Sequence, residues 1–208
     1  MLILLSQKIK KMIQETKYLS WTEIGLYEYL LVAHPDSIVS SKIMAERESF
    51  SLDYHHKMAA ATRPHITIAN FLANEAMEDT IIRYTQRICC QQQSFEVSLN
   101  NYSGFPPHSV YLRVQNPQPF KQLAKELKVI SGYVNSCSCP PVKLTTNPHL
   151  TIAGRLPETI YLKAMMDYSQ KTFHETFVVD ALVLLRRSSE FDDCKVIQVF
   201  GLQPQDGK

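Results

Sequence analysis

Along the chain, apolar positions recur with period two in some stretches and at helical spacing in others, and the two patterns alternate. Residues 27–33 are apolar and β-favouring, and His34-Pro35 ends them, which predicts a strand. Asp36 or Ser37 then caps a helix running through Ile38, Ile43 and Met44 to about Phe50. A less regular stretch, 51–62, precedes a strand over 65–71, a helix over 74–90 and a strand over 94–100. Residues 101–104 have turn chemistry, and 109–114 read as the next strand. Phe120, Leu123, Leu127 and Ile130 form the apolar stripe of a helix over 117–130. A polar loop with Pro140-Pro141 leads to a strand over 149–153, Pro157 opens a helix to about Lys171, and strands follow over 177–186 and 195–203. Ahead of all this, 6–17 read as an amphipathic helix with Ile9, Met12 and Ile13 on one side and lysines on the other. The expected organisation is a helical extension over 1–20 and a single α+β domain over 21–208.

One pattern in this alternation is repeated in detail. Pro64-His-Ile-Thr-Ile-Ala69 returns as Pro148-His-Leu-Thr-Ile-Ala153, with five of six residues identical and the histidines 84 positions apart (149 minus 65). Each copy begins a predicted strand that a predicted helix follows, so two equivalent lobes about a pseudo-twofold axis are expected. In a strand, residues i and i+2 share a face. His65 and Thr67 therefore project together, as do His149 and Thr151, while Ile66, Ile68, Leu150 and Ile152 point to a core. Brought close, two imidazoles and two hydroxyls suit in-line attack on a phosphodiester. One neutral imidazole takes the proton of the attacking water or hydroxyl, and the other, protonated, donates to the departing oxygen. A pKa near 6.5 lets both forms coexist near neutrality. Threonine hydroxyls can donate to the non-bridging oxygens. Either histidine can be the base, with the other as acid. Nothing in this chemistry requires a metal.

With its two His-x-Thr motifs the chain resembles the 2H phosphoesterase superfamily, which includes bacterial RNA 2′,3′-cyclic phosphodiesterases, also called 2′-5′ RNA ligases. The resemblance implies a bilobal α+β fold, with two antiparallel sheets facing a central cleft and helices packed outside. It implies catalytic roles for His65 and His149, phosphate-binding roles for Thr67 and Thr151, and hydrolysis of a 2′,3′-cyclic phosphate at an RNA end or in a nucleotide. The same site could serve another phosphodiester, such as a 2′-5′ linkage or ADP-ribose cyclic phosphate. A nucleotide- or RNA-binding module without catalysis is the remaining alternative, but binding alone does not need two proton-transfer groups. Arg155 follows the second motif closely, where it can neutralise a phosphate, and Asn70 follows the first. Tyr27 and Tyr111 lie on predicted strands and can stack a base, and Arg113 shares a face with Tyr111 by alternation. Arg63 and the His55-His56-Lys57 run read as solvated surface.

Composition changes this picture little. Hydrophobic residues make up 45% and charged residues 20% of 208, as in ordinary globular domains, which excludes disordered and fibrous classes. A net charge of +2 recommends a nucleotide or one RNA end over long duplex nucleic acid. The five cysteines do not pair evenly, and the apolar opening runs at once into lysines, the reverse of a secretory signal. Reduced thiols in a cytoplasmic protein are expected, and Cys137-Ser-Cys139 lacks the spacing of a zinc site. The protein is expected to act as a monomer, without cofactor, metal or membrane.

Overall fold

The computed structural model describes residues 25–56, 62–189 and 192–205, so the predicted extension over 1–20 lies outside the described residues. The described residues include nine strands: β1 (Leu26–Ala33), β2 (Ile66–Asn74), β3 (Phe95–Phe105), β4 (Ser109–Val114), β5 (Lys143–Leu144), β6 (His149–Ala153), β7 (His174–Val179), β8 (Ala181–Arg187) and β9 (Lys195–Gly201). Five α-helices join them: α1 (Ser37–Tyr54), α2 (Glu78–Cys89), α3 (Gln118–Glu126), α4 (Lys128–Ser136) and α5 (Glu158–Tyr168). Asp36 caps α1 through a 2.9 Å bond to the Val39 amide, as the sequence predicts.

The strands form one antiparallel sheet in the order β7-β3-β4-β6-β2-β1-β8-β9, with β5 added beside β2. That order is symmetric about the β6–β2 neighbours, so the expected pseudo-twofold relation is present. One lobe holds β2, β1, β8 and β9, and the other β6, β4, β3 and β7. The two lobes are not separate sheets: the pair Ile66–Leu150 joins them into one. Helices cross between lobes. The chain leaves β1 for α1, which packs against β6 and β7 of the other lobe, and leaves β4 for α3, which packs back against β2. Each lobe thus lends the other a helix.

Strand alternation sorts the side chains into two faces. Tyr29, Leu31, Leu112, Leu150, Leu182 and Leu184 are buried beneath the helices in a single core. The opposite face carries the motifs and is open. Several element boundaries depart from the sequence reading. β3 continues through Asn101–Gly104, which the sequence reads as a turn, because a bulge between Leu99 and Tyr102 absorbs the irregularity. Tyr102 there stays on the core face and donates to Glu46 of α1 at 2.7 Å. Gly104 is required where it stands, since a Cβ would lie 2.5 Å from the Tyr161 hydroxyl of α5. The predicted helix over 117–130 is two helices that meet at Leu127, and the predicted strand over 177–186 is two strands that break at Asp180.

Both partners of the joining pair are completely buried. Leu150→Ala is expected to lower unfolding stability by about 2–5 kcal/mol, measured by urea denaturation. A change within measurement error would show that the joint carries no packing of consequence.

Candidate active site

The two motif segments repeat in structure as well as in sequence. From proline to alanine, their burial runs identically: Pro64, Ile66, Ile68 and Ala69 are buried and His65 and Thr67 half-buried, and the same pattern holds from Pro148 to Ala153. Continuing the Ile66–Leu150 register by one residue each way sets His65 across from Thr151 and Thr67 across from His149. Facing and diagonal positions on an antiparallel ladder lie about 5–8 Å apart, a span that one phosphate group can fill. The four side chains therefore form one cluster on the open face.

Each imidazole is fixed in the same way. His65 Nδ1 donates to the Arg63 carbonyl at 2.9 Å, and His149 Nδ1 donates to the Asn147 carbonyl at 2.8 Å. A carbonyl can only accept, so Nδ1 must carry the proton and Nε2 is the basic nitrogen. The i to i−2 geometry follows from the proline between donor and acceptor, which holds the chain extended before each strand. Both histidines thus present the same tautomer.

Their surroundings differ. His149 packs against the stacked rings of Phe105 and Tyr111, whose centroids are 4.4 Å apart and 4.8 and 4.9 Å from its own, and burial lowers its pKa. For His65 burial is again the largest effect, and His34, Arg47 and Arg187 add repulsion, bringing its pKa down to about 4. The His34 ring stands edge-on to His65 at 6.1 Å and is itself held by a 2.8 Å bond from Nδ1 to the Pro64 carbonyl. Burial lowers the pKa of His34 as well.

Of the candidate substrate-binding residues, Tyr111 and Arg113 pair across β4–β6 with Thr151 and His149, on the motif face. Arg113 is exposed and its Nε donates to the Asn100 carbonyl at 3.1 Å. Arg155 is exposed in the loop after β6, with φ at +56°. Tyr27 is placed elsewhere. It shares the core face with Tyr29, and the Arg186 guanidinium covers its ring at 4.8 Å, so strand alternation turns it away from the histidines. Tyr29 likewise lies in the core.

Four residues near the site escape the sequence reading. Arg47 of α1, only 7% exposed, donates Nε and Nη2 to the Thr151 carbonyl at 3.2 and 2.7 Å and Nη1 to the Thr62 carbonyl at 2.7 Å. It ties the second motif to the segment entering the first. Its signal was available, because it replaces an apolar residue in the buried stripe Val39, Ile43, Arg47, Phe50. Glu28, buried on β1, accepts from Asn70 at 2.7 Å and from Arg187, which brings a cation into a groove beside His65. Phe105 and His34 carry no such signal, since their roles depend on pairings between distant strands.

Among the described residues, no cluster of three or more His, Cys, Asp or Glu side chains has metal-binding geometry. No helix of the described residues is long and apolar enough to cross a membrane.

Residues 35–190 match the 2′-5′ RNA ligase superfamily. No curated protein sequence matches the chain. Among solved structures, TT0787 of Thermus thermophilus superposes with a TM-score of 0.67 at 14% identity, covering 86% of this chain and 99% of that one. E. coli LigT in its apo form gives 0.65 at 15% identity over 86% and 99%, and E. coli LigT complexed with 3′-AMP gives 0.66 at 16% over 85% and 98%. At these identities the likeness is one of fold.

Removing the Arg47 cation should let the His65 pKa rise from about 4 toward its ordinary value while burial still holds it down. Arg47→Met should also orphan the carbonyls of Thr62 and Thr151, costing about 1–3 kcal/mol for each one left unsatisfied. Imidazole titration by NMR, with urea denaturation alongside, checks both effects. An unmoved His65 titration would show that the guanidinium does not act on the site.

Proposed function

The chain belongs to the 2′-5′ RNA ligase superfamily, and on that footing we propose that it is a metal-independent phosphodiesterase that opens a 2′,3′-cyclic phosphate at an RNA end or in a nucleotide. The observation that carries this reading is the mirrored pair of imidazoles, each locked by a carbonyl so that its basic Nε2 is available. Binding a phosphate needs donors, and two imidazoles held as bases are a poor choice for that alone. They suit proton transfer to and from oxygens on opposite sides of one phosphorus.

In the proposed reaction, one imidazole removes a proton from water as the water oxygen bonds to phosphorus. The other, protonated, donates to the ribose oxygen as its bond to phosphorus breaks. The product is a phosphomonoester and a free hydroxyl. Thr67 and Thr151 donate to the non-bridging oxygens, where charge must be held, and Arg113 lends positive potential from the neighbouring strand. A nucleoside monophosphate is one product of such a reaction, and E. coli LigT, of the same fold, has been crystallised with 3′-AMP. A cytoplasmic setting is part of the proposal.

The test is hydrolysis of an oligoribonucleotide ending in a 2′,3′-cyclic phosphate, with EDTA present. Turnover should persist in EDTA, and His65→Ala or His149→Ala should each reduce kcat by roughly 10²–10⁴. Full activity in either variant would remove that histidine from the pair, and a need for added divalent metal would contradict the mechanism.

The pH profile gives an independent check. Burial and nearby cations bring the His65 pKa down to about 4, and burial holds that of His149 below the ordinary 6.5. One group must be unprotonated and the other protonated, so kcat/KM should rise through the first pKa and fall through the second. The optimum is expected below pH 6.5 whichever histidine is the base. A profile still rising at pH 7 would contradict the lowered values.

A further inference from the structure

The pseudo-twofold relation extends one strand beyond the motifs and then breaks at a single position. Val32 pairs with Thr67 and Ala33 with Ile66, just as Tyr111 pairs with Thr151 and Leu112 with Leu150. Each strand pair has a register shift just before these residues, between Leu31 and Val32 and between Val110 and Tyr111. One step further along, Arg113 faces His149. The same step beyond Ala33–Ile66 brings His34 beside His65, with ring centroids 6.1 Å apart. The outer flank of His149 thus holds a permanent cation, and that of His65 holds an imidazole that can gain or lose its charge. Their bonds differ as well. Arg113 Nε turns away to the Asn100 carbonyl of β3, whereas His34 Nδ1 donates to the Pro64 carbonyl at 2.8 Å.

That bond has a structural reason. Pro35 and Pro64 are both buried and neither has an N–H, so the backbone ladder cannot continue past Ala33–Ile66. Side chains take its place in a reciprocal clasp: His34 donates to the Pro64 carbonyl, and Arg63 Nη2 donates to the Pro35 carbonyl at 3.4 Å. The clasp holds the segment whose Arg63 carbonyl accepts from His65 Nδ1. With its own Nδ1 committed, His34 gains a second proton only at Nε2, which has no hydrogen-bond partner among the described residues. Protonation therefore adds a charge without opening the clasp. Arg63, Arg187, Asp193 and Cys194 line the same groove as the two imidazoles, and Arg47 reaches the Thr62 carbonyl at its edge. Burial is the main reason that His65 resists a proton, and of the charges that add to it His34 comes first, ahead of Arg47 and Arg187. We propose that His34 is a positioning residue for His65: its Nδ1 holds the segment that fixes the His65 tautomer, and its charge governs how readily His65 takes a proton. The consequence for turnover rests on the phosphodiesterase reading, but the hold on His65 does not.

NMR of the imidazole nitrogens tests this in the free protein, without depending on turnover. In His34→Asn the side-chain amide can replace the Nδ1 donor but carries no charge, and His34→Phe keeps a ring while losing both donor and charge. His34→Ala replaces His34→Phe if the larger ring does not fold. Both variants should raise the titration midpoint of His65 by about half a pH unit, the effect of removing a like charge about 6 Å away in water. Only His34→Phe should let His65 populate the tautomer with its proton on Nε2. In His34→Asn the limb of the kcat/KM profile that His65 sets should move upward by the same amount, which loss of a merely structural contact would not produce. A His65 that keeps its tautomer in His34→Phe, or titrates unchanged in His34→Asn, would overturn the inference. The expected NMR pattern in a wild type that hydrolyses no phosphodiester would sink the proposed reaction and leave the coupling of His34 to His65 standing.

Discussion

Ile66 and Leu150 meet at the register pair that joins the two lobes, and the position of all four motif side chains follows from that contact. Because side chains alternate, an apolar pair fixed on the core face places a polar pair on either side of it on the open face. His65 then faces Thr151, and Thr67 faces His149. A slip of one residue would turn the histidines into the core and the isoleucines into the cleft, which burial forbids. The exchanged helices reinforce the joint: α1 reaches across to β6 and β7, and α3 reaches back to β2, so separating the lobes would expose both helix seats. Arg47 acts at the same joint from within α1.

Burial that secures this geometry also sets the chemistry. Desolvation lowers the pKa of His65 and His149, and the carbonyl of the residue two positions earlier limits the effect while fixing the tautomer. In the free protein neither imidazole readily carries a positive charge. An incoming phosphate is anionic and favours that charge, so protonation and binding support each other. The arrangement has a cost in stability. His34, His65 and His149 are all shifted downward, so the unfolded chain binds protons more readily than the folded one below pH 6.5. Folding stability from these groups is complete above that value and is lost as the pH falls toward about 4.

Much of the site is legible in the sequence because the repeat is local. Six consecutive residues specify a strand, its two faces and its His-x-Thr pair, and the second copy repeats that pattern on the facing strand. The alternation that places Tyr111 and Arg113 together on β4 is equally local, and so is the Asp36 cap. The rest depends on pairings between distant strands. Phe105 reaches His149 because β3 continues through a bulge where the sequence shows turn residues, and Arg187 reaches the groove because β8 pairs with β1. Tyr27 lies on the core face, away from the histidines, for a related reason. Its β-favouring character identifies a strand but not which face meets the helices. Two separate sheets were expected, and one joined sheet is found, since a single pairing between edge strands has no sequence signal.

If His65 and His149 hold one phosphate between them, a crystal structure with a bound nucleoside 3′-monophosphate will show it. The phosphorus should then lie over the Ile66–Leu150 joint, with each Nε2 about 2.7–3.2 Å from a phosphate oxygen and the Thr67 and Thr151 hydroxyls on the others. A phosphate bound to one imidazole alone, or seated away from both, would contradict it.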